Sequence, residues 1–171
     1  MLVFAAVSAI GPTGARAACA GAETKPRQVA LKQARAAILC LLNHERTSRG
    51  LRPVSENKQA FRAATKHNLR MVQHRCFAHQ CYGEKDLVGR LTDSGYLPCD
   101  CTWRVGENLA WGETVNGTPR AIVDAWMASP EHRENVLNPS FRQIGIGTAW
   151  GSPYPGHDDA STYTTVFGVR R

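Results

Sequence analysis

The stretch WMASPEH, at residues 126–132, carries most of the information on how this chain folds. Ser129 followed by Pro130 is typical of a helix start, with serine as the N-cap and proline at the first helical position. His132 then falls in the first turn, where the positive end of the helix dipole disfavours a protonated imidazole. The stretch therefore predicts a neutral histidine, the form that a metal ligand or a general base requires.

Three further short motifs flank this stretch in the C-terminal two-thirds of the chain. They are FAH at residues 77–79, GEN at 106–108 and IGIG at 144–147. The GEN motif lies in a predicted strand over residues 105–111. Residues 144–150 alternate large and small side chains, which predicts a strand with one bulky and one small face.

The remaining periodicity predicts one α/β layered domain. Apolar residues at helical spacing predict a first helix over residues 26–48, and Ser55 is a plausible N-cap for a second helix. Thr118 before a proline predicts another helix start. Residues 75–104 are predicted to be rich in loops, and residues 163–169 to form a last strand.

Length and composition indicate a globular protein with a core of its own. The chain has 171 residues, of which 43% are hydrophobic and 20% charged, and disorder is not expected. The net charge of +7 would favour anionic surfaces, but the Lys and Arg residues are scattered along the sequence. We therefore interpret the charge as a solvated surface and expect no nucleic-acid partner.

The N-terminus has the features of an export signal. An apolar run of signal-peptide length is followed by an A-x-A cleavage motif that ends at Ala17, so residues 1–17 are predicted to be a signal peptide. The run is too short to span a bilayer, and no basic residue precedes it. Arg16 disfavours a lipoprotein anchor at Cys19. The mature protein is expected to be secreted, with no transmembrane segment.

Cysteine usage agrees with export. The six cysteines are expected to form three disulfides, since an even count in a secreted domain is typical of a disulfide framework. No C-x-x-C pair supports a zinc knuckle. Two cysteines are isolated from the rest, and we predict that they pair with each other; the connectivity of the other four stays open. The isolated pair is Cys19 and Cys40, and the others are Cys76, Cys81, Cys99 and Cys101.

Together, the ordered motifs resemble the CAP or SCP superfamily (cysteine-rich secretory protein, antigen 5 and pathogenesis-related), in its bacterial secreted form. The stretch LLNHER at residues 41–46 is similar to the first-helix signature of that family. The resemblance implies a single-domain α-β-α sandwich, here with disulfides. It predicts a CAP domain over residues 36–169, preceded by an N-terminal segment over residues 18–35 that includes the start of the first helix.

The resemblance also implies a cleft. Its residues map onto His79, Glu107 and His132, and Asn108 is expected to support the Glu107 segment. A fourth family position is a glutamate in animal and plant relatives, and here it is Ser129. Glu131 lies nearby, but a carboxylate at a helix N-terminus is favourable without any catalytic task.

Two functions follow from this cleft. The first is binding of an extracellular ligand, a cell-envelope component or lipid, by a monomeric secreted protein without catalytic residues or a required cofactor. The alternative is an extracellular hydrolase in which His79, Glu107 and His132 hold a divalent metal such as zinc and activate water. Glu107 as a metal-free general base is a variant of this alternative. We favour binding, since no established catalytic motif is present.

Overall fold

The computed structural model describes residues 19–97 and 102–170. Within them, the chain forms five helices and four strands, and the four strands make one sheet. The helices are α1 (Leu31–Thr47), α2 (Lys58–Gln73), α3 (Leu87–Asp93), α4 (Pro119–Ala128) and α5 (Pro130–Leu137). The strands are β1 (Ser55–Glu56), β2 (Trp103–Glu113), β3 (Gln143–Trp150) and β4 (Ala160–Arg170), and a 3-10 turn covers Thr114–Gly117.

The sheet has the strand order β1-β3-β4-β2. β4 pairs antiparallel with both β3 and β2, and β1 pairs parallel with β3. The long strand β2 therefore lies at one edge of the sheet within the described residues. Side chains at this edge can face a surface cleft, whereas those of β4 are buried along almost its whole length.

Alternation along the strands separates two helical layers. Ile144 and Ile146 of β3 belong to the main core with α1 and α4, while Val166 of β4 packs with α2. Gly145 and Gly147 face α2, where an added Cβ would collide with the backbone of Ala60 and Ala64. The predicted bulky and small faces of β3 are thus confirmed, and the small face lets α2 lie directly on the sheet.

Trp126, the first residue of the WMASPEH stretch, fixes α4 to the edge strand. Its side chain is 1% exposed, and its indole N–H donates to the carbonyl of Leu109 at 3.0 Å. The predicted start of α4 is also confirmed, since the Thr118 hydroxyl accepts from the amide of Ala121 at 3.2 Å. Ser129 occupies the N-cap position of α5 but makes no side-chain cap hydrogen bond.

Two sequence expectations on the helices are wrong. The first helix begins at Leu31 and not at residue 26, because Arg27 has a left-handed φ of 64° that interrupts a helix. The second helix is capped by Asn57, whose side chain accepts from the amides of Gln59 and Ala60. Ser55 instead pairs with β3 through β1.

Within the described residues, the segment 75–104 is rich in loops, as predicted, and one short helix interrupts them. This helix is α3, which the Asp86 carboxylate caps by accepting from the amide of Gly89 at 2.8 Å. The helix has only seven residues, so its apolar periodicity is too short to be seen in the sequence.

Two disulfides are present in the described residues. Cys19 pairs with Cys40, as predicted, and Cys76 pairs with Cys81. The first bond links the segment before α1 to that helix. The second closes a short loop that contains His79. Cys99 and Cys101 lie outside the described residues, as does the expected signal peptide, so the third disulfide stays a prediction.

No helix in the described ranges is long and apolar enough to cross a membrane.

Candidate functional site

The GEN motif divides its three residues between the two faces of β2. A Cβ at Gly106 would collide with the side-chain amide of Asn135 in α5, so glycine is needed for α5 to approach the strand. Glu107 turns to the opposite face from Asn108, as successive side chains of a strand do. The motif therefore places a carboxylate in the cleft and a carboxamide against α5.

The Glu107 carboxylate is buried and in hydrogen-bond contact with two side chains. Its side chain is only 2% exposed. Arg90 of α3 donates to Oε2 at 2.9 Å and to Oε1 at 3.1 Å, and the His79 ring nitrogen Nδ1 contacts Oε1 at 2.9 Å. Burial alone would raise the pKa of Glu107, but the hydrogen bonds from His79 and Arg90 outweigh burial and lower this pKa. Glu107 is thus a structural anion.

His79 is the group that this cluster presents to solvent. Its side chain is 64% exposed. The hydrogen bond to Glu107 raises the pKa of His79, and partial burial and the positive charge of Arg90 only partly oppose this. Arg90 also donates to the His79 carbonyl at 2.8 Å, so the guanidinium fixes both the backbone and the partner of this histidine. His79 is oriented with Nδ1 inward, which leaves Nε2 for a ligand.

His67 and Glu84 form a second, deeper layer. The His67 side chain is fully buried, and its Nδ1 contacts Glu84 Oε2 at 2.8 Å. Its Nε2 has no hydrogen-bond partner and lies 4.0 Å from Glu107 Oε1. Burial lowers the pKa of His67 despite the attraction of Glu107, so the ring is favoured in its neutral form.

Asn108 joins the two sides of the cleft. It is fully buried, donates to the carbonyl of His132 at 2.9 Å and accepts from Asn135 at 2.8 Å. This contact holds the first turn of α5 against β2. Asn108 therefore positions His132, and its burial leaves no surface for a ligand to touch.

His132 is half-buried and its electrostatics match the sequence prediction. Burial is the main cause that lowers the pKa of His132, and the positive charge of His79 adds to it while Glu131 opposes it. The neutral ring that the helix start predicted is thus favoured, with burial and His79 as the causes. Glu131 is exposed, in agreement with its interpretation as a favourable charge at a helix N-terminus.

Comparison with known proteins places this geometry in a family. The family model for CAP, the cysteine-rich secretory protein family, matches residues 39–166, which is more than half of the chain. The chain belongs to the CAP family. The matched range includes the four predicted cleft residues and the helices α3 and α5.

Curated relatives of this CAP domain come from Bacillus subtilis strain 168. The protein YkwD is 34% identical over 112 residues, covering 64% of this chain and 40% of the relative. The membrane protein YlbC is 29% identical over 110 residues, covering 64% and 30%. Both are described as uncharacterized. The chain thus spans less than half the length of the curated relatives it matches.

Solved structures share the fold of the CAP domain. An outer surface protein from Borrelia burgdorferi has a TM-score of 0.68 at 18% identity, covering 85% of this chain and 99% of that chain. An extracellular protein containing an SCP domain from Bacillus anthracis has a TM-score of 0.61 at 22% identity, covering 81% and 43%. These likenesses establish the α/β architecture and say nothing of a ligand.

The donor set of this CAP cleft does not fit a metal. No three His, Cys, Asp or Glu side chains in residues 19–97 and 102–170 are arranged to hold one. The physical reason is the bidentate contact of Arg90 with Glu107, because a cation bound by this carboxylate would have to displace or lie against a guanidinium. The cleft residues are therefore unsuited to metal-dependent chemistry.

The sequence analysis named His79, Glu107, Asn108 and His132 but missed Arg90 and His67, the two buried residues behind Glu107. Arg90 lies in the segment that was expected to be loop-rich, and its role depends on α3. His67 belongs to none of the sequence motifs described above. A signal for it exists, since it continues the buried face of α2 formed by Ala60, Ala64 and Met71. A histidine on such a face needs a buried polar partner.

The raised pKa of His79 predicts a pH-dependent contribution to stability. In the folded protein the pKa lies above the ordinary value of 6.5. The stabilisation from His79 is therefore fully present below that value and is lost as the pH rises through the folded pKa. We expect His79→Ala to lower the free energy of unfolding more at acidic than at alkaline pH, as measured by urea denaturation. If the loss in free energy of unfolding caused by His79→Ala instead grew with pH, this would contradict a raised pKa of His79.

Proposed function

We propose that this CAP domain is a secreted protein that binds an extracellular ligand, a cell-envelope component or lipid, without turning it over. The observation that carries the proposal is the state of Glu107. Its two oxygens are occupied by Arg90 and His79, and its pKa is lowered. A general base must be accessible to the substrate and a metal ligand accessible to the ion, whereas the Glu107 side chain is 2% exposed and lies against a guanidinium. Glu107 is suited to neither task.

The geometry of the histidines supports binding. His79 is held by a buried anion and presents its second ring nitrogen, while half-buried His132 lies on the side formed by α5. A protonated His79 donates a charge-assisted hydrogen bond, and a neutral His132 can accept or donate one. The cleft is therefore suited to a ligand that presents an anionic or strongly polar acceptor group to His79.

Two observations support export. The Cys19–Cys40 and Cys76–Cys81 disulfides are typical of proteins that fold in an oxidising compartment. Structural neighbours are described as an outer surface protein and an extracellular protein. The cell envelope is accordingly the place where we expect the ligand.

Cosedimentation tests the binding function. Folded, oxidised protein is incubated with purified cell-wall sacculi and, separately, with vesicles of phosphatidylglycerol or phosphatidylcholine. We expect binding to at least one of them, and His79→Ala should weaken it about tenfold, the effect of one charge-assisted hydrogen bond. His44→Ala is the matched control, because His44 is an exposed histidine on α1.

Two results would contradict this function. One is equal binding by His79→Ala and His44→Ala, which would separate the cleft from the ligand. The other is hydrolysis of envelope esters or peptides by the wild type that disappears in His79→Ala or His132→Ala, which would establish an enzyme.

A further inference from the structure

A cavity lies between α2 and the segment that leads into α3, and neither His79 nor His132 lines it. Its volume is about 300 Å³. This is at the lower end of the range of roughly 300–1,000 Å³ that small-molecule sites occupy. Five basic side chains line it, contributed by α2, α3 and the residue before α3's N-cap: Arg62, Lys66, Arg70, Lys85 and Arg90. Two carboxylates, of Glu84 and Asp93, also line it.

The charges around this cavity do not balance. Lys85 pairs with Asp93 at 2.8 Å, and Arg90 pairs with Glu107, which lies outside the cavity lining. Three cations of α2 remain, and Glu84 is the one lining carboxylate left to offset them. The basic residues that are scattered in the sequence are thus brought together here.

The three cations form a stripe along α2. Arg62, Lys66 and Arg70 are spaced four residues apart, and α2 contains no acidic residue. Like charges at this spacing destabilise a helix. The guanidinium groups are held by backbone carbonyls, Arg62 by Ser94 at 2.9 Å and Arg70 by Tyr82 at 2.7 Å. Carbonyls orient these groups without neutralising them, so their charge is available to a ligand.

Two buried donors in the cavity lining have no acceptor. The Nε atoms of Arg70 and Arg90 make no hydrogen bond in the structure. The Arg90 side chain is only 6% exposed, and its Nε lies 4.0 Å from Glu84 Oε1, beyond hydrogen-bond range. Unsatisfied buried donors are rare in native proteins. Because both Nε atoms are buried, an anion in the cavity would lie against the other nitrogens of these guanidinium groups and balance their positive charge.

We propose that this cavity binds a phosphate group, either of a small phosphorylated molecule or of an anionic lipid headgroup. A phosphate dianion matches the uncompensated charge of the α2 stripe, and arginine presents paired donors that suit its oxygens. None of the cleft histidines lines the cavity, although Arg90 and Glu84 connect the two regions through Glu107 and His67. The site is therefore separate from the ligand cleft of His79.

Calorimetry on the oxidised protein tests the site with inorganic phosphate and glycerol phosphate as probes, at low ionic strength. Lys66→Glu should weaken phosphate binding at least tenfold, since it reverses an exposed charge in the lining without touching the core. Lys58→Glu is the matched control, because it makes the same change on the same helix outside the lining. It should change the affinity by less than a factor of three. At alkaline pH, where the His79 ring is neutral and attracts no anion, His79→Ala should leave phosphate binding unchanged, which separates this site from the proposed ligand cleft.

Vesicles of phosphatidylglycerol distinguish the two sources of phosphate. If vesicles bind and the soluble probes do not, and only Lys66→Glu weakens vesicle binding, the group is a lipid headgroup. If inorganic phosphate or glycerol phosphate binds, and Lys66→Glu weakens this binding while Lys58→Glu does not, the ligand is a small phosphorylated molecule. An equal loss of probe affinity in Lys66→Glu and Lys58→Glu would mean that the probe is attracted by the overall surface charge, and it would overturn the proposal. Failure of every probe to bind, even at millimolar concentration, would overturn it as well.

Discussion

Arg90→Met is expected to destabilise the protein by about 3–5 kcal/mol, the usual cost of removing one partner of a buried ion pair. The variant leaves the Glu107 carboxylate with the imidazole of His79 as its remaining hydrogen-bond donor. The Arg90 and Glu107 side chains are 6% and 2% exposed, so water cannot replace the guanidinium. Urea denaturation at neutral pH measures the loss in free energy of unfolding.

A double variant separates charge from packing in this result. Arg90→Met combined with Glu107→Leu removes both ions, and apolar replacement of a buried pair is often close to neutral. We therefore expect the double variant to be more stable than Arg90→Met alone. A single variant that costs less than about 1 kcal/mol would show that the pair is solvated, in conflict with the burial that defines this site.

Arg46→Met is expected to cost about 3 kcal/mol or more, the equivalent of two charge-assisted hydrogen bonds. Arg46 is fully buried and donates to four backbone carbonyls. Three of these belong to the end of α5 and the turn that follows it, at Val136, Asn138 and Phe141. Arg46 therefore fastens the far end of the helix whose first turn carries His132. Burial lowers the pKa of Arg46, which records the cost of placing this charge in the core.

Arg49→Met is the matched control for Arg46, since it lies almost one turn further along the chain. Its guanidinium is exposed and pairs with Glu45 at 2.6 Å. An exposed pair at this spacing contributes only about 0.3–0.5 kcal/mol. Thermal denaturation should show a large decrease in Tm for Arg46→Met and almost none for Arg49→Met. Similar decreases would mean that the carbonyl contacts of Arg46 contribute little.

Local sequence determined several of the helices and strands on which the site residues lie. Thr118 before Pro119 predicts the start of α4, and the alternation of isoleucine with glycine predicts β3. Both signals are local, because helix caps and strand periodicity depend on residues that are close in sequence. Local patterns also placed His132 at a helix start and Glu107 in a strand, whereas the resemblance to the CAP family implied that both belong to a cleft. The pairing of Cys19 with Cys40 also followed from their isolation in the chain.

Only the tertiary structure decided what each of these groups can do chemically. Arg90 and His67 reach Glu107 from α3 and α2, at 17 and 40 positions along the chain, and no local pattern encodes such a contact. Hydrogen bonds from Arg90 and His79 outweigh the effect of burial and lower the pKa of Glu107, and the burial of this carboxylate makes it unsuited to act as a base. Likewise, Arg62 and Arg90 share one cavity because α2 packs beside α3. Charge and burial depend on distances across the fold, whereas the sequence specifies directly only the distances along the chain.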